Sequence, residues 1–122
     1  SQVRDFVYVD DAVDAFLRAG TLDECNGEVF NIGGAEAISH RDLVNLLIEI
    51  AGAGSVRFVD WPPEKKAIDI GSFRLDSAKF HRTTGWDPLV LLRDGLTNTI
   101  SYYRANLPHY LESSEDTEAA TT

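Results

Sequence analysis

The order of the predicted elements follows from one octapeptide, Arg4-Asp5-Phe6-Val7-Tyr8-Val9-Asp10-Asp11. Residues 6–9 are β-branched or aromatic and predict a strand. The two aspartates that follow are residues that commonly cap helices, so we expect Asp10 or Asp11 to be a helix cap. Apolar residues then recur at helical spacing as far as Gly20. We therefore predict a strand that leads directly into a helix.

Strands and helices continue to alternate along the chain. Further strands are predicted over residues 29–32 and 56–59, and further helices over 40–51, 77–84 and 93–105. Ser39 and Asp42 resemble a capping box at the start of the second helix, while Gly52 and Gly85 are expected to end the second and third helices. The predicted fold is α/β, with a small mixed sheet and about four helices.

Several single residues carry structural expectations. Gly33-Gly34 follows the second predicted strand, where we expect the chain to turn in a place that would not admit a side chain. Trp86 is expected to fill a core pocket, and Asn31 to be a buried amide bonded to neighbouring backbone. Leu91 precedes the last helix and cannot cap it, so we expect Asp94 to compensate or the helix end to fray.

The composition disfavours two classes of partner. The chain has 122 residues, 43% of them hydrophobic, and 11 Lys+Arg against 20 Asp+Glu give a net charge of −9. Residues 111–122 contain no Lys or Arg, and we expect them to form an acidic, disordered tail. Binding to nucleic acid or to an anionic membrane surface requires a basic face, whereas the longest basic run here is Lys65-Lys66.

The expected location is the cytoplasm. The single cysteine, Cys25, allows no disulfide framework within the chain and no thiolate metal cluster, as is typical of a reducing compartment. No stretch approaches the roughly 18 apolar residues of a membrane-spanning helix. Residues 1–5 lack the basic and then apolar pattern of a secretion signal.

Catalytic and cofactor motifs are missing from the sequence. A dinucleotide site needs a Gly-rich turn that follows a strand and opens a helix, whereas Gly52-Ala53-Gly54 comes at the end of a predicted helix. No tyrosine is followed four positions later by lysine, and His40, His81 and His109 are scattered without metal-ligand spacing. We therefore predict no catalytic residue, no cofactor-binding residue and no metal ligand in this chain.

An ordered series of short segments extends over about residues 3 to 105. It comprises the octapeptide, Val29-Phe30-Asn31-Ile32-Gly33-Gly34, Ile38-Ser39-His40-Arg41-Asp42-Leu43, Asp76-Ser77-Ala78-Lys79, Gly85-Trp86-Asp87-Pro88 and Asp94-Gly95-Leu96. This series resembles the C-terminal portion of the extended short-chain dehydrogenase/reductases, the NAD-dependent nucleotide-sugar epimerases and dehydratases. The resemblance implies that residues 1–110 are a substrate-binding portion without its Rossmann half. NAD and a catalytic Tyr-x-x-x-Lys pair would then belong to the missing half, and this chain alone would be inactive.

The resemblance also implies three substrate-binding residues. Arg4 matches the arginine of the family that contacts the diphosphate, and a planar guanidinium suits phosphate oxygens. The alternative is a surface ion pair between Arg4 and Asp5. Lys66 and Asp69 match a basic residue and an acid that takes the ribose hydroxyls, although the family usually has arginine where Lys66 stands. Lys65 is an alternative to Lys66, and both lysines are otherwise a solvated pair in a loop.

Two other functions stay open at this point. The chain is alternatively a free-standing nucleotide-binding module, or a structural domain that associates with itself. Apolar surfaces that would contact the missing half favour a homo-oligomer. The sequence defines neither the nucleotide base nor the sugar, nor the choice among epimerase, dehydratase and decarboxylase.

Overall fold

A computed structural model describes residues 2–62 and 70–111 of the chain. Within these ranges the helices are α1 (Val9–Thr21), α2 (His40–Ala51), α3 (Ala78–Thr84) and α4 (Leu92–Asn106). The strands are β1 (Val3–Asp5) and β2 (Ala37–Ser39), and short 3-10 helices cover Asp23–Cys25 and Leu107–His109. The prediction of about four helices in a small α/β fold is confirmed.

The strands differ from the prediction. In the described residues β1 and β2 form a two-stranded antiparallel sheet, with Val3 opposite Ser39, so this sheet is not mixed. The strands predicted over 6–9, 29–32 and 56–59 are not assigned as strands, and Val9 begins α1 instead. A strand needs a neighbour to pair its backbone groups, and β propensity alone does not supply one.

The predicted ends of α2 are confirmed. The hydroxyl oxygen of Ser39 accepts a hydrogen bond from the Asp42 N–H at 3.1 Å, and the hydroxyl donates to the Asp42 carboxylate at 2.6 Å. Gly52 ends the helix in the left-handed conformation, with φ at 65°. Gly85 ends α3 in the same way, with φ at 68°. These ends form from residues close in sequence, which is why the spacing predicts them.

The predicted cap of α1 is wrong. The helix begins one residue before Asp10, and no side chain caps it from the position of Tyr8. Asp11 is buried within the first turn, and its carboxylate accepts hydrogen bonds from the backbone N–H groups of Leu89 and Val90 at 3.1 and 3.0 Å. Asp11 therefore binds the loop between α3 and α4 to the first turn of α1.

The first N–H of α4 is capped by a residue distant in the sequence. Leu91 offers no side-chain cap, but the N–H of Leu92 donates to the carboxylate of Glu36 at 3.0 Å. Asp94 lies in the first turn, as expected. The acceptor that compensates for Leu91 is nevertheless Glu36, which lies 56 positions earlier in the chain.

The buried core lies between α1 and α3. Its buried members are Ala15, Cys25, Phe80 and Trp86. The rings of Phe80 and Trp86 are 5.6 Å apart, and Trp86 has no exposed surface, which confirms its predicted place in the core. Asn31 is exposed, so the expectation of a buried amide was wrong.

Candidate functional site

Arg4 lies in the middle of β1, beside residues 71–75. Its Nη1 donates hydrogen bonds to the backbone carbonyl oxygens of Val3 at 2.8 Å and of Gly71 at 2.6 Å. The side chain is half-buried. The guanidinium is therefore held against β1 by neutral oxygen atoms, at the point where residues 71–75 begin.

The alternative ion pair between Arg4 and Asp5 does not form. Successive side chains of a strand point to opposite faces, and the carboxylate of Asp5 accepts a hydrogen bond from the N–H of Leu75 at 2.9 Å. Among residues 2–62 and 70–111, no carboxylate forms an ion pair with Arg4. The positive charge of Arg4 is therefore not neutralised by an acid of the described chain.

Three other cations of the described chain, Arg18, Lys79 and Arg93, have acidic partners. Two nitrogens of the Arg93 guanidinium lie 3.0 and 3.2 Å from the two carboxylate oxygens of Glu49. Lys79 lies 2.6 Å from the carboxylate of Glu28. The pKa values of Glu28 and Glu49 lie below the ordinary value, because each carboxylate accepts a hydrogen bond from its cation and is stabilised by the positive charge of that cation. Arg4 differs from these paired cations in having no acidic partner among the described residues.

The other two predicted substrate-binding residues, Lys66 and Asp69, lie outside the described residues, as does Lys65. Gly71 comes two positions after Asp69 in the sequence. Two residues of chain span at most about 7 Å. The carbonyl that receives the Arg4 hydrogen bond is thus joined to Asp69 by a very short piece of chain.

Because Gly33 and Gly34 have no side chains, the Asp5 carboxylate and the backbone of Phe6 can approach this turn closely. A Cβ atom at position 33 would overlap the Asp5 carboxylate, and one at position 34 would overlap the backbone carbonyl of Phe6. The N–H of Gly33 also donates to the hydroxyl oxygen of Ser77 at 2.8 Å. The prediction that a side chain would clash at this turn is confirmed.

The structure adds a cation that the sequence analysis did not single out. Arg74 lines an open cavity of about 560 Å³, together with the Gly33-Gly34 turn. Asp76 and Asp87 line the same cavity, so its charge is mixed. Arg74 lies within residues 71–75, and its nearness to Asp69 in the sequence was the available signal.

A second cavity, of about 350 Å³, is apolar. It lies between α2 and α4, and Leu43, Leu47 and Leu96 are among the residues that line it. Tyr8 also lines this cavity, and its ring packs against Gly95, where a Cβ atom would lie 2.9 Å from the ring. The cavity offers apolar contact rather than phosphate or metal chemistry.

The pyrophosphate of NAD is commonly bound by backbone N–H groups at a Gly-rich turn that opens a helix. Within residues 2–62 and 70–111, no Gly-rich turn opens a helix. Gly52 and Gly54 follow α2, and the Gly33-Gly34 turn leads to β2. Within the described ranges there is also no group of His, Cys, Asp or Glu side chains that would hold a metal ion. No helix in these ranges is long and apolar enough to cross a membrane.

Comparison with known proteins identifies relatives. Residues 1–33 match the model of the NAD dependent epimerase/dehydratase family. A dTDP-glucose 4,6-dehydratase of Streptomyces griseus is 39% identical over 103 residues, which are 83% of this chain and 30% of that protein.

Solved structures agree with this family. The UDP-glucose 4-epimerase of Thermotoga maritima, solved with UDP-glucose, matches with a TM-score of 0.75 and 38% identity over 87% of this chain. A dTDP-glucose 4,6-dehydratase of Streptomyces venezuelae, solved with NAD bound, matches with a TM-score of 0.74 and 32% identity over 86% of the chain. The chain spans 33% and 32% of the lengths of these two structures. The chain thus belongs to the NAD dependent epimerase/dehydratase family and corresponds to about a third of its full-length relatives.

Proposed function

We propose that this chain is the substrate-binding part of an NAD-dependent nucleotide-sugar epimerase or dehydratase. The observation that carries the proposal is the environment of Arg4. Its half-buried guanidinium is oriented by two backbone carbonyls, and no acid of the described chain neutralises it. Carbonyl oxygens orient a guanidinium without cancelling its charge, so the charge stays available to an anionic ligand.

The diphosphate of a nucleotide sugar fits this cation. A planar guanidinium meets two phosphate oxygens at once, which gives direction as well as charge. In the proposal Lys66 adds a second positive charge and Asp69 accepts the ribose hydroxyls. The hydrogen bond from Arg4 to Gly71 supports this grouping, because Gly71 follows Asp69 by two positions. The names of the relatives support the substrate class, since they refer to UDP-glucose and dTDP-glucose.

The cofactor and the reaction belong to a second part of the enzyme in this proposal. That part would bind NAD and supply the Tyr and Lys pair, while the present chain grips the substrate and is inactive alone. One face of α1 supports such a contact. Val13, Phe16 and Leu17 lie on it at helical spacing and are 48%, 74% and 62% exposed. An exposed apolar stripe of this kind is typical of a surface that another protein element covers.

Titration calorimetry on the protein expressed from its whole reading frame tests the role of Arg4. UDP-glucose and dTDP-glucose are the probes. We expect Arg4→Ala to raise the Kd of the preferred probe by about 10- to 100-fold, because a charge-assisted phosphate contact is lost. Arg4→Lys should recover only part of the affinity, since an ammonium cannot form the forked contact. Arg82→Ala is the control, because Arg82 is an exposed cation at the far end of α3. An unchanged Kd in Arg4→Ala would contradict the proposal.

The isolated 122-residue chain provides two further tests. It should show no NAD-dependent turnover of either probe, and turnover by this chain alone would contradict the assignment of the redox chemistry to another part. It should also form a homo-oligomer through the α1 stripe. Light scattering at high concentration should then detect a larger species that Phe16→Glu converts to a monomer, whereas Thr97→Glu, on exposed α4 surface, does not. A monomeric unmodified chain would contradict this contact.

A further inference from the structure

We propose that Asn26-Gly27 is a site of spontaneous deamidation in the folded protein. In this reaction the backbone nitrogen of one residue attacks the side-chain amide of the asparagine before it, and glycine obstructs the attack least because it has no side chain. Gly27 is the only glycine in the sequence that follows an asparagine. The site is independent of the function proposed above.

Asn26 and Gly27 form the centre of an exposed β-turn. Asn26 has φ −64° and ψ 124°, and Gly27 has φ 74°, which are the angles of a type II turn. The carbonyl oxygen of Cys25 accepts a hydrogen bond from the N–H of Glu28 at 3.2 Å and closes the turn. A type II turn favours glycine at its third position, where φ is positive. The turn therefore favours the residue that makes the preceding asparagine reactive.

Both reacting groups are accessible in the fold. Asn26 and Gly27 are exposed, and within residues 2–62 and 70–111 the N–H of Gly27 has no hydrogen-bond acceptor. The side-chain nitrogen of Asn26 donates to the Asp23 carboxylate at 3.4 Å, which is longer than the usual range for such a bond. The attacking nitrogen and the amide that it attacks are therefore free to approach each other.

A second pair, Asp94-Gly95, shows what the fold contributes. An aspartate side chain reacts with a following glycine in the same way and loses water in place of ammonia. Gly95 is buried within α4, and its N–H donates to the carbonyl oxygen of Leu91 at 3.0 Å. The helix thus holds this nitrogen away from the Asp94 side chain. The structure, and not the pair of residues alone, makes Asn26 the reactive position.

The reaction requires only the protein and water. The Gly27 nitrogen loses its proton and bonds to the side-chain carbon Cγ of Asn26, while the Cγ–Nδ2 bond breaks and Nδ2 leaves as ammonia with that proton. Water then opens the five-membered imide. Breaking the bond from the ring nitrogen to Cγ gives aspartate, and breaking the bond from that nitrogen to the main-chain carbon gives isoaspartate. No atom is oxidised or reduced, and a neutral amide becomes a carboxylate.

Isoaspartate at position 26 would alter the turn. Its main chain passes through the former side chain and gains one methylene group, which disturbs the spacing between the Cys25 carbonyl and the Glu28 N–H. The Glu28 carboxylate lies 2.6 Å from the Nζ of Lys79 in α3, and the same Nζ donates to the carbonyl oxygen of Val29 at 3.0 Å. The reaction should therefore loosen the contact between residues 28–29 and α3.

Mass spectrometry of peptides from aged protein tests the proposal. The folded protein, expressed from its whole reading frame, is incubated at mildly alkaline pH, which favours loss of the Gly27 proton. We expect the peptide that contains residue 26 to gain about 1 Da and to separate into aspartate and isoaspartate forms. Asn26→Gln should block the gain, because its longer side chain would have to close a less favourable ring. Asn98→Gln is the control, since Asn98 is exposed but precedes Thr99.

A parallel incubation in urea separates the effect of the fold from that of the sequence. Deamidation of Asn26 in the folded protein should be within about tenfold of its rate in urea, because no stable structure has to open first. Isoaspartate at position 94 should form only in urea. Hydrogen exchange at the Glu28 amide should become faster in aged protein but not in Asn26→Gln aged alongside it.

Three results would overturn the proposal. The first is folded protein in which residue 26 gains no mass. The second is deamidation of Asn26 far slower in the folded protein than in urea, since the turn would then protect the pair. The third is isoaspartate at position 94 of the folded protein in the same amount as at position 26. Unchanged exchange at Glu28 would overturn the expected effect on the contact with α3. These results do not bear on the binding of a nucleotide sugar.

Discussion

The indole N–H of Trp86 donates a hydrogen bond to the backbone carbonyl oxygen of Asp11 at 3.0 Å, although the two residues are 75 positions apart. The carboxylate of the same aspartate accepts from the N–H groups of Leu89 and Val90. Both Trp86 and Asp11 are buried. One turn of α1 therefore satisfies three donors of the loop between α3 and α4.

The first prediction concerns the stability that Asp11 provides. Asp11→Ala should lower the free energy of unfolding by about 3 kcal/mol, because two N–H groups lose a charged acceptor inside the protein. Asp10→Ala is the control, since Asp10 is the exposed neighbour in the same helical turn. Urea denaturation followed by circular dichroism measures both. Equal small losses in the two variants would contradict the role of Asp11.

The second prediction compares two glycines. Gly34→Ala should destabilise the protein by about 3 kcal/mol, because the new Cβ atom would overlap the backbone carbonyl of Phe6, which cannot easily move. Gly20→Ala should instead stabilise it by about 0.5–1 kcal/mol, since Gly20 lies in α1 with no atom within 4 Å of a new Cβ. Thermal unfolding measures both. A Gly34→Ala protein as stable as the unmodified one would contradict the close approach.

The third prediction concerns the start of α4. Glu36→Ala should lower the free energy of unfolding by about 1 kcal/mol and increase hydrogen exchange at Leu92. The reason is that the N–H of Leu92 has no acceptor within its own helix and loses the one that Glu36 provides. Leu91→Ser, made in the Glu36→Ala protein, should restore much of the loss by supplying a local cap. Glu24→Ala, an exposed glutamate in a 3-10 helix, is the control. No change in exchange at Leu92 would argue against capping by Glu36.

The fourth prediction is a pH dependence. The Arg93 guanidinium holds the pKa of Glu49 below its ordinary value through a hydrogen bond and its charge. A group whose pKa is lowered by folding stabilises the folded state above its ordinary pKa, and this stabilisation is lost as the pH falls through the lowered pKa. Glu49→Gln should therefore lower the Tm at neutral pH, and its difference from the unmodified protein should disappear in acid. Both residues are exposed, so added salt should also reduce the difference. A difference that does not shrink as the pH is lowered below the ordinary pKa of a glutamate would contradict this contribution.

Helix extents and several helix ends can be predicted from the sequence because they depend on neighbours in the chain. The Ser39 and Asp42 cap and the glycine ends of α2 and α3 involve residues only a few positions apart. The strands could not be predicted in the same way. Apolar, β-branched residues indicate an extended chain, but only a neighbouring strand makes that chain part of a sheet.

The same distinction between local and distant contacts applies to the candidate site. The motif around Arg4 predicts that Arg4 is a substrate-binding residue, and the structure shows that its hydrogen-bond partners are backbone carbonyls rather than Asp5. The contact between Asp5 and Leu75 was missed, because nothing local in the sequence connects residues 70 positions apart. The alternation of side chains along a strand was the one available signal that Arg4 and Asp5 face opposite ways.

Helix α1 shows which features depend on neighbouring residues in the sequence and which depend on the tertiary structure. The spacing of Val13, Phe16 and Leu17 correctly indicates an amphipathic helix. In the structure these three residues are exposed, while Asp11 and Ala15 on another face are buried. Periodicity depends on residues a few positions apart, so the amino-acid order specifies the helix and its apolar face. Which face is covered depends on where the distant Trp86 and the loop after it pack, and that placement exists only in the folded chain.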